Sequence, residues 1–262
     1  ANSIGTIRNR LTVDDEDNTL RDAMKPFVLN LISKQLNRLG WNEVAGEPHL
    51  DSLLRPLIIG LATASDDPNS ISMALNLWEQ KIKENYHINP DLRGIIYSTV
   101  ARKGGQKEYN QLLKLYKETH SGDEKLSITA GMTSFKQPEI IKAVLELIKS
   151  DTIRLQDTGY WIAYSFMNRH ARKITWTWIK ENWSWLKENN GTDLSFSRMP
   201  VYAARNFSDD KMLKDYKLFF ESKMEPMIDR SFKQGLEIIE TNTDWHKRDM
   251  ATALKWFKSR QY

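Results

Sequence analysis

The sequence contains no cysteine among its 262 residues. This absence excludes disulfide bonds, thiol nucleophiles and cysteine-ligated zinc sites, and it favours a reducing compartment. Long apolar runs are also missing, because the longest, residues 53–64, is interrupted by Arg55 and Pro56 and is too short to cross a bilayer. No signal-peptide pattern opens the chain. We therefore expect a cytoplasmic location and no membrane partner.

Charge of one sign is not in excess either. The 38 basic and 34 acidic side chains leave a net charge of +4, and the two signs are interleaved along the chain. Proteins that bind nucleic acids usually concentrate positive charge on one face. The balance indicates a solvated, lysine-rich surface, and we expect no nucleic-acid partner.

Motifs of a self-contained catalytic site are absent as well. There is no H-E-x-x-H pair of zinc ligands, no glycine-rich phosphate loop and no G-x-S-x-G nucleophile turn. Paired carboxylates stand at predicted linkers and helix starts, where capping explains them better than acid–base catalysis does. We expect no catalytic residue, metal ligand or cofactor in this chain. The five histidines lie far apart: His49, His87, His120, His170 and His246.

Helical periodicity is what the sequence does contain, over nearly its whole length. Apolar residues recur at steps of three and four, short polar or glycine- and proline-containing breaks separate the runs, and no stretch shows the period of two that strands need. The pattern predicts an all-α fold, a superhelical array of antiparallel helix pairs resembling HEAT or armadillo solenoids. The residues that carry the helical patterns lie within 27–39, 50–64, 68–78, 90–100, 109–116, 124–132, 138–148, 156–167, 171–187, 194–205, 208–223, 227–241 and 244–258.

The domain organisation follows from the same pattern. Residues 1–18 show little periodicity and end in an acidic run, so they are predicted to be an entry linker. No linker composition occurs after them, and residues 19–262 are predicted to form one helical domain.

Two groups of side chains stand out. Residues 160–185 hold eight aromatic side chains, which lie on more than one face of the predicted helices. This indicates helices buried between neighbours, and a stacking platform for sugars or bases is the alternative. Arginines also gather at predicted helix ends, where they could stabilise helix C-termini or hold a carboxylate with two parallel hydrogen bonds. These arginines are Arg93, Arg102, Arg154, Arg169, Arg172 and Arg205.

Several short motifs occur in a characteristic order. They are P-D-L-R at residues 90–93, I-Y at 96–97, R-K-G-G at 102–105, I-R-L-Q-D at 153–157, the tryptophan-rich run at 174–186, F-S at 207–208, F-F-E at 219–221 and the segment at 237–245. Together they resemble the C-terminal domain of gluzincin-type zinc aminopeptidases, the family that includes the alanyl, puromycin-sensitive and endoplasmic-reticulum aminopeptidases. The resemblance covers the chain from about Asn18 to its end.

The resemblance implies a non-catalytic domain that closes over the zinc site of an aminopeptidase and helps to bind the distal part of peptide substrates. The H-E-x-x-H and G-x-M-E-N motifs of the family do not occur here. Zinc, the catalytic domain and the β domains are therefore expected elsewhere in the same polypeptide, and this chain should be inactive alone. Position and charge select Arg102, Arg154, Arg169 and Arg205 as candidates for peptide binding. A free-standing HEAT-like scaffold that binds proteins in its groove is the alternative.

Overall fold

The computed structural model of the chain describes residues 2–11 and 18–260, which are helical over most of their length and contain no strand. The all-α class predicted from the periodicity is confirmed for this range, while the solenoid arrangement stays a prediction. The described residues divide into two compact units. The first comprises residues 2–8, 18–132 and 251–260, and the second comprises residues 9–11 and 133–250. A single helical domain over residues 19–262 therefore also stays a prediction.

The helices follow one another with short connections. In the first unit they are α1 (Asn2–Arg10, whose last two residues belong to the second unit), α2 (Thr19–Leu39), α3 (His49–Ala64), α4 (Pro68–Glu84), α5 (Pro90–Lys103), α6 (Gln106–Glu118) and α7 (Gly122–Met132). In the second unit they are α8 (Pro138–Leu147), α9 (Thr158–Met167, after a 3-10 turn at Leu155–Asp157), α10 (Arg172–Glu181), α11 (Trp183–Asn190), α12 (Leu194–Ser197), α13 (Met199–Ala204) and α14 (Asp210–Glu221). The last helix, α15 (Pro226–Lys258), belongs to the second unit as far as residue 250.

Local sequence signals set many helix ends. Gly40 follows α2 with a φ of 59°, a left-handed value that favours glycine. The carboxylate of Asp67 accepts a hydrogen bond from the Ser70 amide at 2.8 Å and caps α4. Asp209 caps α14 in the same way through the Met212 amide. The capping role predicted for these acidic pairs is thus confirmed at Asp67 and Asp209.

The core of the first unit is aliphatic where α2 packs on α3, with Ile32, Leu39, Ile58 and Ala62 buried together. α5 is the central helix of this unit and packs against α3, α4 and α7. Burying these apolar side chains is what holds the helices together, because most helical stability in proteins comes from tertiary packing.

The core of the second unit is aromatic. The buried ring of Trp176 contacts those of Phe207, Tyr216, Phe219 and Phe220, with centroid distances of 5.2 to 6.1 Å. Its indole nitrogen donates to Asp215 at 2.7 Å, so the polar atom of the ring is satisfied. Core packing, rather than a stacking platform, is therefore the role of the buried tryptophans of this unit, which are Trp161, Trp176, Trp178 and Trp183.

The continuity of the helices differs from the predictions at three places. The helix predicted over residues 171–187 is two helices. The side-chain amide of Asn182 donates to the Trp178 carbonyl oxygen at 2.8 Å, and the backbone leaves helical geometry at Asn182. The one predicted over 194–205 is interrupted because Pro200 has no N–H for the carbonyl four residues earlier. By contrast, residues 227–258 form one continuous helix.

Residues 2–10 form a helix although the sequence predicted an aperiodic linker there. The acidic run of that segment lies outside the described residues. A linking role for residues 1–18 stays a prediction.

Candidate functional site

Arg102 stands in the last turn of α5, on the same helix face as Ile95 and Thr99. One terminal nitrogen (Nη2) donates to the Thr99 hydroxyl at 2.8 Å, and that hydroxyl donates in turn to the Ile95 carbonyl oxygen at 2.7 Å. Among the described residues, no carboxylate lies within ion-pair distance of the guanidinium. A guanidinium has five N–H donors, so Arg102 retains donors for a further acceptor.

The electrostatic surroundings of Arg102 are unusual for an arginine. Burial lowers the pKa of its side chain to about 10, and the positive charge of Arg8 acts in the same direction, whereas Asp66 opposes both. Arg8 reaches this region from α1 and donates to the Ala64 carbonyl oxygen at the end of α3, at 3.3 Å. A group with a pKa of about 10 is still protonated at neutral pH. The largely desolvated positive charge of Arg102 therefore favours an anion beside it.

Asp66 lies in the turn between α3 and α4, with a φ of 60°. Its carboxylate accepts hydrogen bonds from Lys25 on α2 and Lys103 on α5, both at 2.8 Å. Burial acts to raise the pKa of Asp66, but the hydrogen bonds from Lys103 and Lys25 outweigh it and lower the pKa to about 2. We call these five residues the Asp66 cluster: Arg8, Lys25, Asp66, Arg102 and Lys103.

The other three candidate arginines lie in the second unit, in three different settings. The Arg154 guanidinium forms an ion pair with Asp157 at 2.7 Å, three residues later. Arg169 is almost completely buried and donates to the His170 imidazole at 3.3 Å. Arg205 is exposed at the end of α13 and forms no ion pair within the described part of the chain. The roles of all four arginines in peptide binding stay predictions.

Arg172 has the predicted structural role, because it donates to the Phe166 carbonyl oxygen in the last turn of α9 at 3.2 Å. Helix C-termini carry carbonyl groups without a helical partner, which such donors satisfy. Arg93 does not stabilise a helix C-terminus: it lies in the first turn of α5 and donates to the Ile88 carbonyl oxygen, in the connection before that helix, at 3.2 Å.

The sequence analysis did not identify several side chains that donate hydrogen bonds to backbone carbonyl oxygens far away in the sequence. Arg55 is buried, donates to the Leu39 carbonyl oxygen and forms an ion pair with Glu47. The amide of Asn168 donates to two carbonyl oxygens just after α7, and that of Asn242 donates to two just after α13. Arg55 inside an apolar run was the one available signal, because a charge there needs a partner.

The described residues contain neither a metal-site cluster nor a membrane span. There, no group of three or more histidine, aspartate or glutamate side chains could hold a metal ion. Within that part of the chain, no helix combines the length and the apolar character that a membrane span requires.

Comparison with known proteins assigns the chain to a family. The family model of the ERAP1-like C-terminal domain matches residues 1–241. The chain belongs to this family. The resemblance inferred from the motifs is confirmed by this match.

Curated relatives of this ERAP1-like chain are aminopeptidases. It is 27% identical to Aminopeptidase 2 of Candida albicans over 264 residues, which are 99% of the chain and 28% of the relative. It is 28% identical to Aminopeptidase N of Lactobacillus helveticus over 239 residues, 90% of the chain and 28% of the relative. Glutamyl aminopeptidase of Sus scrofa is 26% identical over 259 residues, with 97% and 27% coverage. The chain thus spans little more than a quarter of the length of these relatives.

Proposed function

We propose that the chain is the non-catalytic C-terminal domain of a zinc-dependent aminopeptidase, which encloses the active-site chamber and binds the distal part of peptide substrates. The family match and the partial coverage of relatives named as aminopeptidases support this proposal. The zinc site, the catalytic domain and the β domains then belong to the rest of the polypeptide. Closing a chamber around the substrate would exclude water and hold the peptide for reaction. A cytoplasmic location and the absence of nucleic-acid partners stay predictions.

The observation that carries the binding part of this proposal is the environment of Arg102. Its guanidinium is largely desolvated, bonds one threonine hydroxyl and has no carboxylate partner among the described residues. The free C-terminal carboxylate of a peptide supplies the missing anion and accepts two parallel hydrogen bonds from a guanidinium. We therefore rank Arg102 first among the candidates, and the exposed Arg205 before Arg154, whose charge Asp157 already compensates.

The test is peptide binding to the isolated chain. Fluorescence anisotropy would follow an N-terminally labelled nonapeptide with a free C-terminal carboxylate and the same peptide as a C-terminal amide. We expect the amide to bind about tenfold more weakly, because hydrogen bonds to charged groups contribute about 1.5–3 kcal/mol. Arg102→Ala should abolish this difference.

Arg248→Ala is the matched control, since Arg248 is exposed and forms an ion pair with Asp249. It should leave the preference for the carboxylate unchanged. In the full-length aminopeptidase, Arg102→Ala should raise KM for long peptides more than for a single-residue reporter. Equal binding of the acid and the amide by the wild-type chain would contradict the proposal.

A further inference from the structure

The junction between α11 and α12 contains the one Asn-Gly pair of the sequence, Asn190–Gly191. In such a pair the side-chain amide reacts readily with the next backbone nitrogen, because glycine has no side chain that hinders the approach. The fold favours glycine here, since a Cβ added at Gly191 would lie 2.2 Å from the Lys187 carbonyl oxygen. The way in which the chain leaves α11 therefore places a reactive pair at its end.

The folded chain holds this pair in an unreactive arrangement. The nitrogen of Gly191, which is the nucleophile, donates its proton to a hydrogen bond with the Lys187 carbonyl oxygen at 2.9 Å. The side-chain amide of Asn190 donates to the Leu155 carbonyl oxygen, also at 2.9 Å, in the 3-10 turn that packs on α11. Asn190 is 2% exposed, so water and hydroxide have little access to it. Reaction therefore requires the junction to open locally.

Two features lower the free energy that such an opening costs. The helix that follows the junction, α12, has only four residues, and a helix of this length has little stability of its own. In addition, Oδ1 of Asn190 is buried without a hydrogen-bond partner among the described residues. Opening lets water reach that oxygen and satisfy it, which offsets part of the hydrogen bonding that is lost.

We propose that Asn190 is a site of spontaneous deamidation that reacts when the α11–α12 junction opens, and that the product prevents the junction from closing again. In the open chain the Gly191 nitrogen loses its proton and attacks Cγ of Asn190. The new nitrogen–carbon bond closes a succinimide ring, the bond from Cγ to the side-chain nitrogen breaks, and that nitrogen takes up a proton and leaves as ammonia. Water then opens the ring at either carbonyl carbon, which gives aspartate or isoaspartate.

Neither product restores the closed arrangement. A carboxylate in place of the Asn190 amide has only acceptor oxygens, so the Leu155 carbonyl oxygen loses its donor and meets a negative charge instead. A buried charge without a partner is costly. Isoaspartate also adds a carbon atom to the backbone. The reaction therefore converts a transient opening within the second unit into a lasting one.

The first experiment measures the rate of deamidation in the chain. Folded and urea-unfolded samples are incubated in mildly alkaline buffer, digested with trypsin and analysed by tandem mass spectrometry. The tryptic peptide of residues 188–198 contains Asn190 and also the exposed Asn189, which is followed by asparagine and serves as the internal control. Asn190 should react faster than Asn189 in urea. In the folded chain it should react about thirtyfold more slowly than in urea, because two hydrogen bonds must break first.

Two results of this experiment would overturn the proposal. Equal rates for Asn190 in the folded and unfolded chains would show that the fold does not hold the pair closed. The absence of product at Asn190 in the folded chain would show that the junction does not open locally.

The second experiment tests the effect of the product with Asn190→Asp. Urea unfolding of this variant should give an equilibrium constant for unfolding about tenfold higher than that of the wild type, because the Leu155 carbonyl oxygen loses its donor. Asn189→Asp is the matched control, since the Asn189 amide bonds only within its own helix, to the Trp185 carbonyl oxygen, and the variant should change the constant little. Equal stability of the two variants would contradict the proposal. If Asn190→Asp fails to fold, deamidated wild-type chain separated by anion exchange provides the same comparison.

Discussion

The approach of α15 to α14 at Gly235 tests the packing of the second unit most directly. A Cβ added at Gly235 would lie 1.9 Å from the hydroxyl oxygen of Tyr216 and 2.7 Å from its Cζ. The Tyr216 side chain is completely buried, and its ring stacks on those of Trp176 and Phe232 at 6.1 and 5.8 Å. Gly235→Ala must therefore displace a ring that its neighbours hold in place.

Two opposing contributions decide the change in stability. Alanine is favoured over glycine within a helix by about 0.5–1 kcal/mol. Forcing an extra methyl group into a packed core costs about 1–3 kcal/mol, and a separation of 1.9 Å places this cost at the upper end. We expect Gly235→Ala to lower the free energy of unfolding by about 2 kcal/mol. Adding Tyr216→Phe should recover about half of that loss, because the hydroxyl leaves while Cζ stays close.

Urea unfolding followed by near-ultraviolet circular dichroism measures these changes, since the aromatic core of the second unit dominates that signal. Gly94→Ala is the matched control: Gly94 lies within α5, and a Cβ there meets no atom within 4 Å. That variant should be as stable as the wild type or more stable. A Gly235→Ala protein with an unchanged or higher urea midpoint would refute the packing of Tyr216 against α15.

Two further predictions concern polar side chains. The pKa of Asp66 falls from 3.8 to about 2 on folding, so its contribution to stability is present above about pH 4 and is lost as the pH falls to 2. The urea midpoint of Asp66→Asn should therefore lie below that of the wild type at pH 7 and match it at pH 2. Asn242→Leu leaves the buried Phe207 carbonyl oxygen without its donor, so we expect the free energy of unfolding to fall by about 1–3 kcal/mol. Asn189→Leu, on the exposed side of α11, is the control and should lower it little. Equal losses in the two variants would contradict the hydrogen-bonding role of Asn242.

Helix ends could be predicted from the sequence wherever the signal is local. α2 ends at Leu39 and α3 ends at Ala64, both as predicted, because Gly40 permits a left-handed φ after α2 and Pro68 begins the next helix soon after α3. The continuity of α15 could not be predicted in this way. Asn242 resembles a break in the pattern, yet its amide donates to a carbonyl oxygen 35 residues away and does not compete with its own helix.

In the candidate site, too, only the contacts between residues close in sequence could be predicted. The pairing of Arg154 with Asp157 spans three residues and could be expected from the sequence. Lys103 meets Asp66 across 37 residues, so no local pattern indicates the Asp66 cluster. Charge and position at a helix end were enough to select Arg102, but not to show that its neighbours are mostly other cations. Arg55 was interpreted only as an interruption of an apolar run, because its partner Glu47 precedes α3.

The arrangement of charges within the Asp66 cluster separates Arg102 from the two lysines. Lys25 and Lys103 both donate to Asp66, and Lys25 also forms an ion pair with Asp22. Their charges are thus compensated within the fold. Asp66 acts on Arg102 only through space, and the nearby charge of Arg8 opposes that effect. The same carboxylate that joins α2 to α5 therefore leaves the Arg102 guanidinium without an ion pair to any described residue. Under the proposed function, the cations that Asp66 reaches have a structural role, and Arg102, which it does not reach by a hydrogen bond, binds the peptide carboxylate.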